Sequence, residues 1–203
     1  MVKERSRGRD IGRLNAFTDG VMVVSMTLLI LNVELPENIL GLDGAPLLHA
    51  LAALWSRFLG YVLSFLVIGQ YWLGYTRRFG EMRAANERFA QINILFLLVI
   101  GFVPFATALI SRNSGGVATS LYAATMVVAS ALHMLLWTYA VRSGLAEPGE
   151  PPGRRWREQS RSIETIFIFG ASIIVAQYDS HLARWMWVLL AVPLLPRSAT
   201  EGS

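Results

Sequence analysis

Arg13-Leu-Asn-Ala-Phe-Thr-Asp-Gly-Val-Met-Val-Val-Ser-Met-Thr-Leu-Leu-Ile-Leu-Asn-Val-Glu-Leu-Pro36 is the stretch on which the fold turns. An arginine, an aromatic ring, a hydroxyl and a carboxylate fall within its first seven residues. From Gly20 to Val33 there is no charge, and Pro36 ends the run. Such a segment is too apolar for the surface helix of a soluble domain. Its acid sits at the edge of the apolar run, where ionisable groups mark a permeation pathway or a buried polar network. The stretch predicts a first transmembrane helix that carries the function.

Helical geometry divides this stretch into faces. At 3.6 residues per turn, Val24, Leu28, Leu31 and Leu35 share one narrow stripe, with Thr27 at its shoulder. Asp19 projects from nearly the opposite side, and Thr18 is also off the stripe. Two readings of the stripe stand side by side: ordinary helix packing in the membrane, or a hydrophobic constriction that gates ions by dewetting.

Working outward, the rest of the chain belongs to the same class. Of its 203 residues 54% are hydrophobic and only 16% charged, and the charges cluster between long apolar runs, the pattern of a membrane protein. The absence of cysteine excludes disulfides, thiol catalysis and cysteine metal sites. A net charge of +4 raises nucleic acid as a partner, but the arginines sit in short connections, so topology accounts for them and no nucleic-acid partner is expected. The amino end mixes Glu4 and Asp10 with its bases, and the first apolar run is too long for a cleavable signal, so the segment is expected to stay uncleaved.

Residues 1–12 read as a basic cytoplasmic segment, poorly ordered or lying at the headgroups, residues 13–197 as the membrane domain and 198–203 as a tail. After the first helix, Pro36 to about Ala50 reads as a loop. A second span follows from about Leu51 to Thr76, with Arg57 able to snorkel at its outer end. The third span, Phe89 to Ser111, carries Asn93 near its start and Pro104 inside, and the fourth runs from Val117 to Val141. Arg142 to Ser162, rich in proline and arginine, reads as a loop whose basic end is expected on the membrane surface, with Trp156 at the interface. Two short apolar runs close the chain, Ile163 to Tyr178 and His181 to Pro196, separated by Asp179-Ser180; a tight hairpin of thin or tilted spans and a re-entrant pair both fit. With six spans and the amino end inside, Arg57, Arg112 and Arg184 are the only bases of 18 that fall outside, so both termini are expected in the cytoplasm.

These residues also resemble the transmembrane protein 175 family of lysosomal potassium channels, and more closely its bacterial members. The family signature is an arginine, three variable residues and Phe-Ser-Asp opening the first helix, then a Thr-Leu-Leu-like turn and a proline exit. Here it is Arg13, Phe17-Thr18-Asp19, Thr27-Leu28-Leu29 and Pro36, with threonine in place of serine. Tyr61-Val-Leu-Ser-Phe65, Tyr71-Trp72, Asn93 and Phe102-Val-Pro-Phe-Ala-Thr107 extend the likeness over four spans. Many relatives carry two histidines shortly after that tryptophan; this chain has Tyr75-Thr76, so the network those imidazoles join must be built differently.

The resemblance implies an all-α integral membrane protein with six transmembrane helices per subunit, a pore lined by the first helix and no P-loop filter. It implies a bacterial homotetramer in the plasma membrane, among lipid, that conducts potassium passively and needs no cofactor beyond the permeant ion. Carried over by position, Val24 is the narrowest ring, Leu28 and Leu31 continue it, and Thr27 is the hydroxyl tied to cation selectivity. Arg13, Phe17, Thr18 and Asp19 would brace the first helices together with Asn93, and Arg13 and Asn93 are the expected donors to Asp19.

Other signals carry less. His49, His133 and His181 lack metal-ligand spacing, and His133 reads as a packed residue hydrogen-bonded to a neighbour, with a proton relay as the alternative. No nucleophile–base constellation or phosphate loop points to an enzyme. Glu34 reads either as a solvated helix terminus or as a cation-attracting ring at the outer mouth. The rival functions are a proton channel and an ion-coupled secondary transporter in which Asp19 is the coupling carboxylate.

Overall fold

The computed structural model describes residues 2–36, 39–113, 115–146 and 152–188, with the backbone course alone for 2–10 and 152–162. Helix α1 (Val2–Leu28) tightens into a 3-10 turn, Leu29–Asn32. Then come α2 (Gly44–Ala53), α3 (Trp55–Phe79), α4 (Glu87–Arg112), α5 (Gly116–Arg142), α6 (Pro152–Val175) and α7 (Ser180–Val188). The described residues form no sheet; a lone bridge pairs Met82 with Ala146. Four segments are long and apolar enough to cross a membrane: Ile11–Asn32, Trp55–Phe79, Glu87–Arg112 and Gly116–Arg142. The protein is an all-helical, multi-pass membrane protein.

Helix α4 is the post around which the others stand, packing against α1, α3 and α5, while α5 carries α6 on its far side. Its sequence explains the role. Asn86 caps the first turn by accepting from the Phe89 amide at 2.9 Å, and Phe89, Phe96, Leu97, Ile100 and Val103 supply a buried apolar face. Met22 and Leu29 of the α1 segment, Ile68 of α3 and Met126 of α5 close on that face. Pro104 lacks the amide that would bond the Ile100 carbonyl. The Asn32 side chain donates to the carbonyl of Pro104 itself at 3.0 Å, fastening the end of the α1 segment to α4.

Lipid offers no hydrophobic force between helices, so buried hydroxyls do much of the joining. Thr107 donates to the Val103 carbonyl at 2.9 Å and so accepts from Ser64 at 2.9 Å, which in turn accepts from Tyr122 at 3.0 Å. That relay of protons ties α3, α4 and α5. Two turns further along, Tyr71 of α3 meets Ser130 of α5 at 2.6 Å. His133 lies between the rings of Tyr71 and Phe96, and its Nδ1 finds no partner among the described residues. The expected neighbourly hydrogen bond is therefore absent, and ring packing holds the imidazole instead.

Three boundaries differ from the sequence reading. The stretch read as a loop up to Ala50 contains α2, entered through Asp43, whose carboxylate accepts from the Gly44 amide. A break at Leu54 separates α2 from α3, so the second span begins at Trp55. The stretch read as a loop up to Ser162 is already helical from Pro152, because proline suits the first position of a helix, where its missing amide costs nothing. Of the two final apolar runs, Ile163–Val175 is a shorter apolar helix and α7 is described for nine residues. Trp187 of α7 donates to Ser172 of α6 at 3.0 Å, so the two lie side by side after a tight turn. Asp179 caps α7, accepting from the His181 and Leu182 amides at 2.8 and 3.1 Å. Those amides hold its carboxyl below the usual carboxylate range. The continuation of the final run beyond Val188 lies outside the described residues.

Candidate pore helix and its bracing network

Along α1, buried and exposed positions alternate with the helical period. Thr18, Met22, Ser25 and Leu29 are buried against α3 and α4. The stripe read from the sequence is bare: Val24 is 56% exposed, Leu28 44%, Leu31 66% and Leu35 64%. Thr27 is also exposed, and its hydroxyl donates to the Val24 carbonyl at 2.9 Å. With the proton turned to the backbone, the oxygen keeps its lone pairs free to accept. Val23 is as exposed as Val24, so exposure alone does not separate the two; helical register does.

The buried face is welded by a network centred on Thr18. Its hydroxyl donates to the Leu14 carbonyl at 2.9 Å, which leaves two lone pairs. Asn93 of α4 donates to one at 2.8 Å, and the Tyr75 hydroxyl of α3, 3.1 Å away, donates to the other. All three possibilities of a buried hydroxyl are thus used. Tyr75, in the tract where many relatives place histidine, supplies the α3 bond by reaching across with a phenol.

Asp19 stands beside this core on the α3 side. Its carboxylate accepts from the Trp72 indole at 3.0 Å and from Asn15 at 3.3 Å. The expected donors were Arg13 and Asn93, and both expectations fail. Asn93 lies deeper, committed to Thr18, and Arg13 is exposed with no bond to another described residue. Spacing along one helix fixes azimuth but not the rotation of α3 that delivers Trp72. Phe17 joins no bond of the network and is 55% exposed.

At the other end, Glu34 pairs with Arg112, and its carbonyl accepts from Arg57 at 3.3 Å. Glu34 is thus a solvent-exposed acid paired with a base within its own subunit. Two of the three bases assigned to the outer side meet here. The connections that hold Arg83 and the end of α5 meet at the opposite end, where the Arg83 amide donates to the Leu145 carbonyl at 2.8 Å. Among the described residues no group of His, Asp and Glu side chains has metal-binding geometry.

Comparison with known proteins agrees with this arrangement. Residues 13–104 match the family described as endosomal/lysosomal potassium channel TMEM175. A protein named potassium channel from Streptomyces collinus is 34% identical over 139 residues, 66% of each chain. The human protein named endosomal/lysosomal proton channel TMEM175 is 30% identical over 139 residues, which are 28% of its own length. Among solved structures, one titled as a lysosomal potassium-selective channel TMEM175 homolog from Chamaesiphon minutus superposes with a TM-score of 0.74 at 25% identity, covering 91% of this chain and 96% of that one. With its signature segment inside the matched region and 91% of its length superposing on that fold, the chain belongs to the TMEM175 family.

Proposed function

We propose that this protein is a potassium channel that conducts passively through a central pore lined by α1. The observation that carries the reading is the division of α1 into a hydrogen-bonded buried face and a bare aliphatic stripe. The network fixes which face of α1 turns to α3 and α4, and so which face is left bare. One subunit supplies one stripe, so a central pore requires copies related by symmetry; by resemblance to bacterial relatives we take four. Val24, Leu28 and Leu31 then form stacked aliphatic rings with no group to replace an ion's water, which resist wetting when narrow. Thr27 offers oxygen lone pairs at the shoulder of this constriction. The relatives named potassium channel and the potassium-selective homolog support the ion.

The finer topology follows the same reasoning. We take six spans per subunit, the four long helices and the two short apolar runs after Ser162, within a channel domain of residues 13–197 in the inner membrane; given six spans, the placement of the basic residues puts both termini in the cytoplasm. Arg57 and Arg112 at one end, with the Arg83 connection at the other, fit that orientation. Passive conduction needs neither cofactor nor catalytic group, and an ion channel is not an enzyme.

Proton conduction is a second reading, favoured by the name of the human relative. A coupled transporter is less well supported, because Asp19 is held by two donors rather than left to exchange a coupling ion. Reconstitution into liposomes with an outward potassium gradient decides. Potassium flux without a proton ionophore, followed by a potential dye, supports the channel. Flux only of protons, followed by a pH dye, supports the second reading, and coupled stoichiometric exchange would sink both. Monomeric protein in detergent, with no larger species on crosslinking in membranes, would count against the central pore.

A further inference from the structure

The structure assigns Phe17 to the conducting surface, as an aromatic collar on the inner side of the aliphatic constriction, an inference that rests on the pore reading above. Phe17 stands seven residues before Val24, so the two differ in azimuth by only about 20° and in height by about 10 Å. The exposure pattern agrees: Phe17 is bare while the adjacent Thr18 is fully buried and Asp19 turns to Trp72. Its ring has no aromatic neighbour among the described residues, whereas every phenylalanine from Phe58 to Phe105 has one. The Arg-x-x-x-Phe-Thr-Asp segment therefore splits in two. Thr18 and Asp19 brace the helix, and Phe17 faces the same way as the gate.

Symmetry-related copies would bring several phenyl rings together around the axis. Their electron-rich faces attract cations, and an apolar ring takes nothing from an ion's water except by that attraction. The collar is thus a weak site for potassium or for an organic ammonium ion approaching from the cytoplasm. The aliphatic side chains further along the stripe offer no such face.

The chain has no cysteine, so single substitutions can be labelled without altering the background. Phe17→Cys, Val24→Cys and Val128→Cys, the last on the outer surface of α5, would be exposed to a cationic methanethiosulfonate reagent on the cytoplasmic side of inside-out patches. The expected result is a severalfold loss of potassium current in Phe17→Cys and none in Val128→Cys. Loss in Val24→Cys as well extends the lined surface past the collar. Loss in Val24→Cys alone overturns the assignment of Phe17 while the pore reading stands; conducting variants blocked at neither position overturn the pore reading itself. Phe17→Leu keeps an apolar side chain without the aromatic face and guards against failed assembly of the cysteine variant. It should raise the potassium concentration at half-maximal current severalfold, and an unchanged value would refute the cation site.

Discussion

Replacing Thr18 by valine keeps the shape of the side chain and deletes its hydroxyl, which makes it the sharpest probe of what holds α1 in place. The loss removes one bond to the Leu14 carbonyl and leaves Asn93 and Tyr75 as buried donors without their acceptor. Interhelical hydrogen bonds in membrane proteins average about 0.6 kcal/mol each, so two of them set a floor of roughly 1 kcal/mol. Stranding a buried polar group costs about 1–3 kcal/mol, which for two donors puts the ceiling near 6. Partial repair by neighbouring carbonyls brings the expectation to about 2–4 kcal/mol. Thr18→Ser retains the hydroxyl and loses one methyl, at about 1 kcal/mol. Equilibrium unfolding in mixed micelles, with assembly followed by light scattering, measures both. Combining Thr18→Val with Tyr75→Phe removes donor and acceptor together, so the double variant should be less damaged than the sum of the singles. Parent-like stability in Thr18→Val, or equal damage in Thr18→Ser, would refute the reasoning.

Four further outcomes follow from the geometry. Val24→Ala should raise cation flux in liposomes and Leu28→Ala should do so less, while Val23→Ala, equally exposed but about 100° away, should leave flux near the parent value; equal effects at 23 and 24 would mean the stripe does not line the pore. Thr27→Val preserves shape and removes the exposed oxygen, so the potassium-over-sodium ratio from reversal potentials should fall, and an unchanged ratio would clear Thr27 of that role. Glu34→Gln breaks an exposed ion pair worth at most about 1 kcal/mol, so stability should barely move; because Arg112 already offsets the charge, conductance at low salt should fall only slightly, and a large drop would show that Glu34 acts at the mouth. Asp179 has a lowered pKa, so the stability it lends the α6–α7 turn is present above the unfolded carboxylate value and is lost as pH falls through the folded one. Asp179→Asn keeps a capping side chain and should flatten the acid limb of an unfolding-versus-pH curve.

The faces of α1 were legible in the sequence because 3.6-residue periodicity needs no knowledge of the neighbours. Val24 and Leu28 shared a stripe on the wheel and are bare in the fold; Leu31, in the 3-10 turn, and Leu35, beyond it, are bare as well but lie outside the 3.6-residue register. What met the opposite face was not legible, since Tyr75 lies 57 residues from Thr18 and Trp72 lies 53 from Asp19. Periodicity gives each helix its own azimuth and leaves the rotation between helices open. That gap assigned Asp19 to Arg13 and Asn93, when α3 turns an indole toward it. Phe17, which the family signature places with Thr18 and Asp19, joins none of their bonds within the subunit, because adjacent helical residues point about 100° apart. Helix α2 escaped notice because its ten residues include Gly44 and Pro46, both turn signals, and offer no buried face to mark a period.

The anchoring of α1 constrains how a gate on it can open. Near one end Thr18 and Asp19 fix its azimuth to α3 and α4; near the other Asn32 and Glu34 fix it to α4. Turning the helix by one residue would replace Val24 by Val23 at the constriction and break the Thr18 bonds. That motion costs on the order of 2–4 kcal/mol per subunit before any gain, and several subunits turning together multiply the cost. A lateral shift or tilt of the middle of the helix breaks none of these bonds, because between Gly20 and Leu31 its polar groups bond only within α1. Met26, whose methyl lies close to Gly69 of α3, is the contact such a shift would change first. Gly69→Ala would place a methyl 3.2 Å from the Met26 methyl, so that Met26 or the middle of α1 must give by a few tenths of an ångström. The expected result is lower flux with stability little changed, and unaltered flux would argue that opening does not involve the middle of α1.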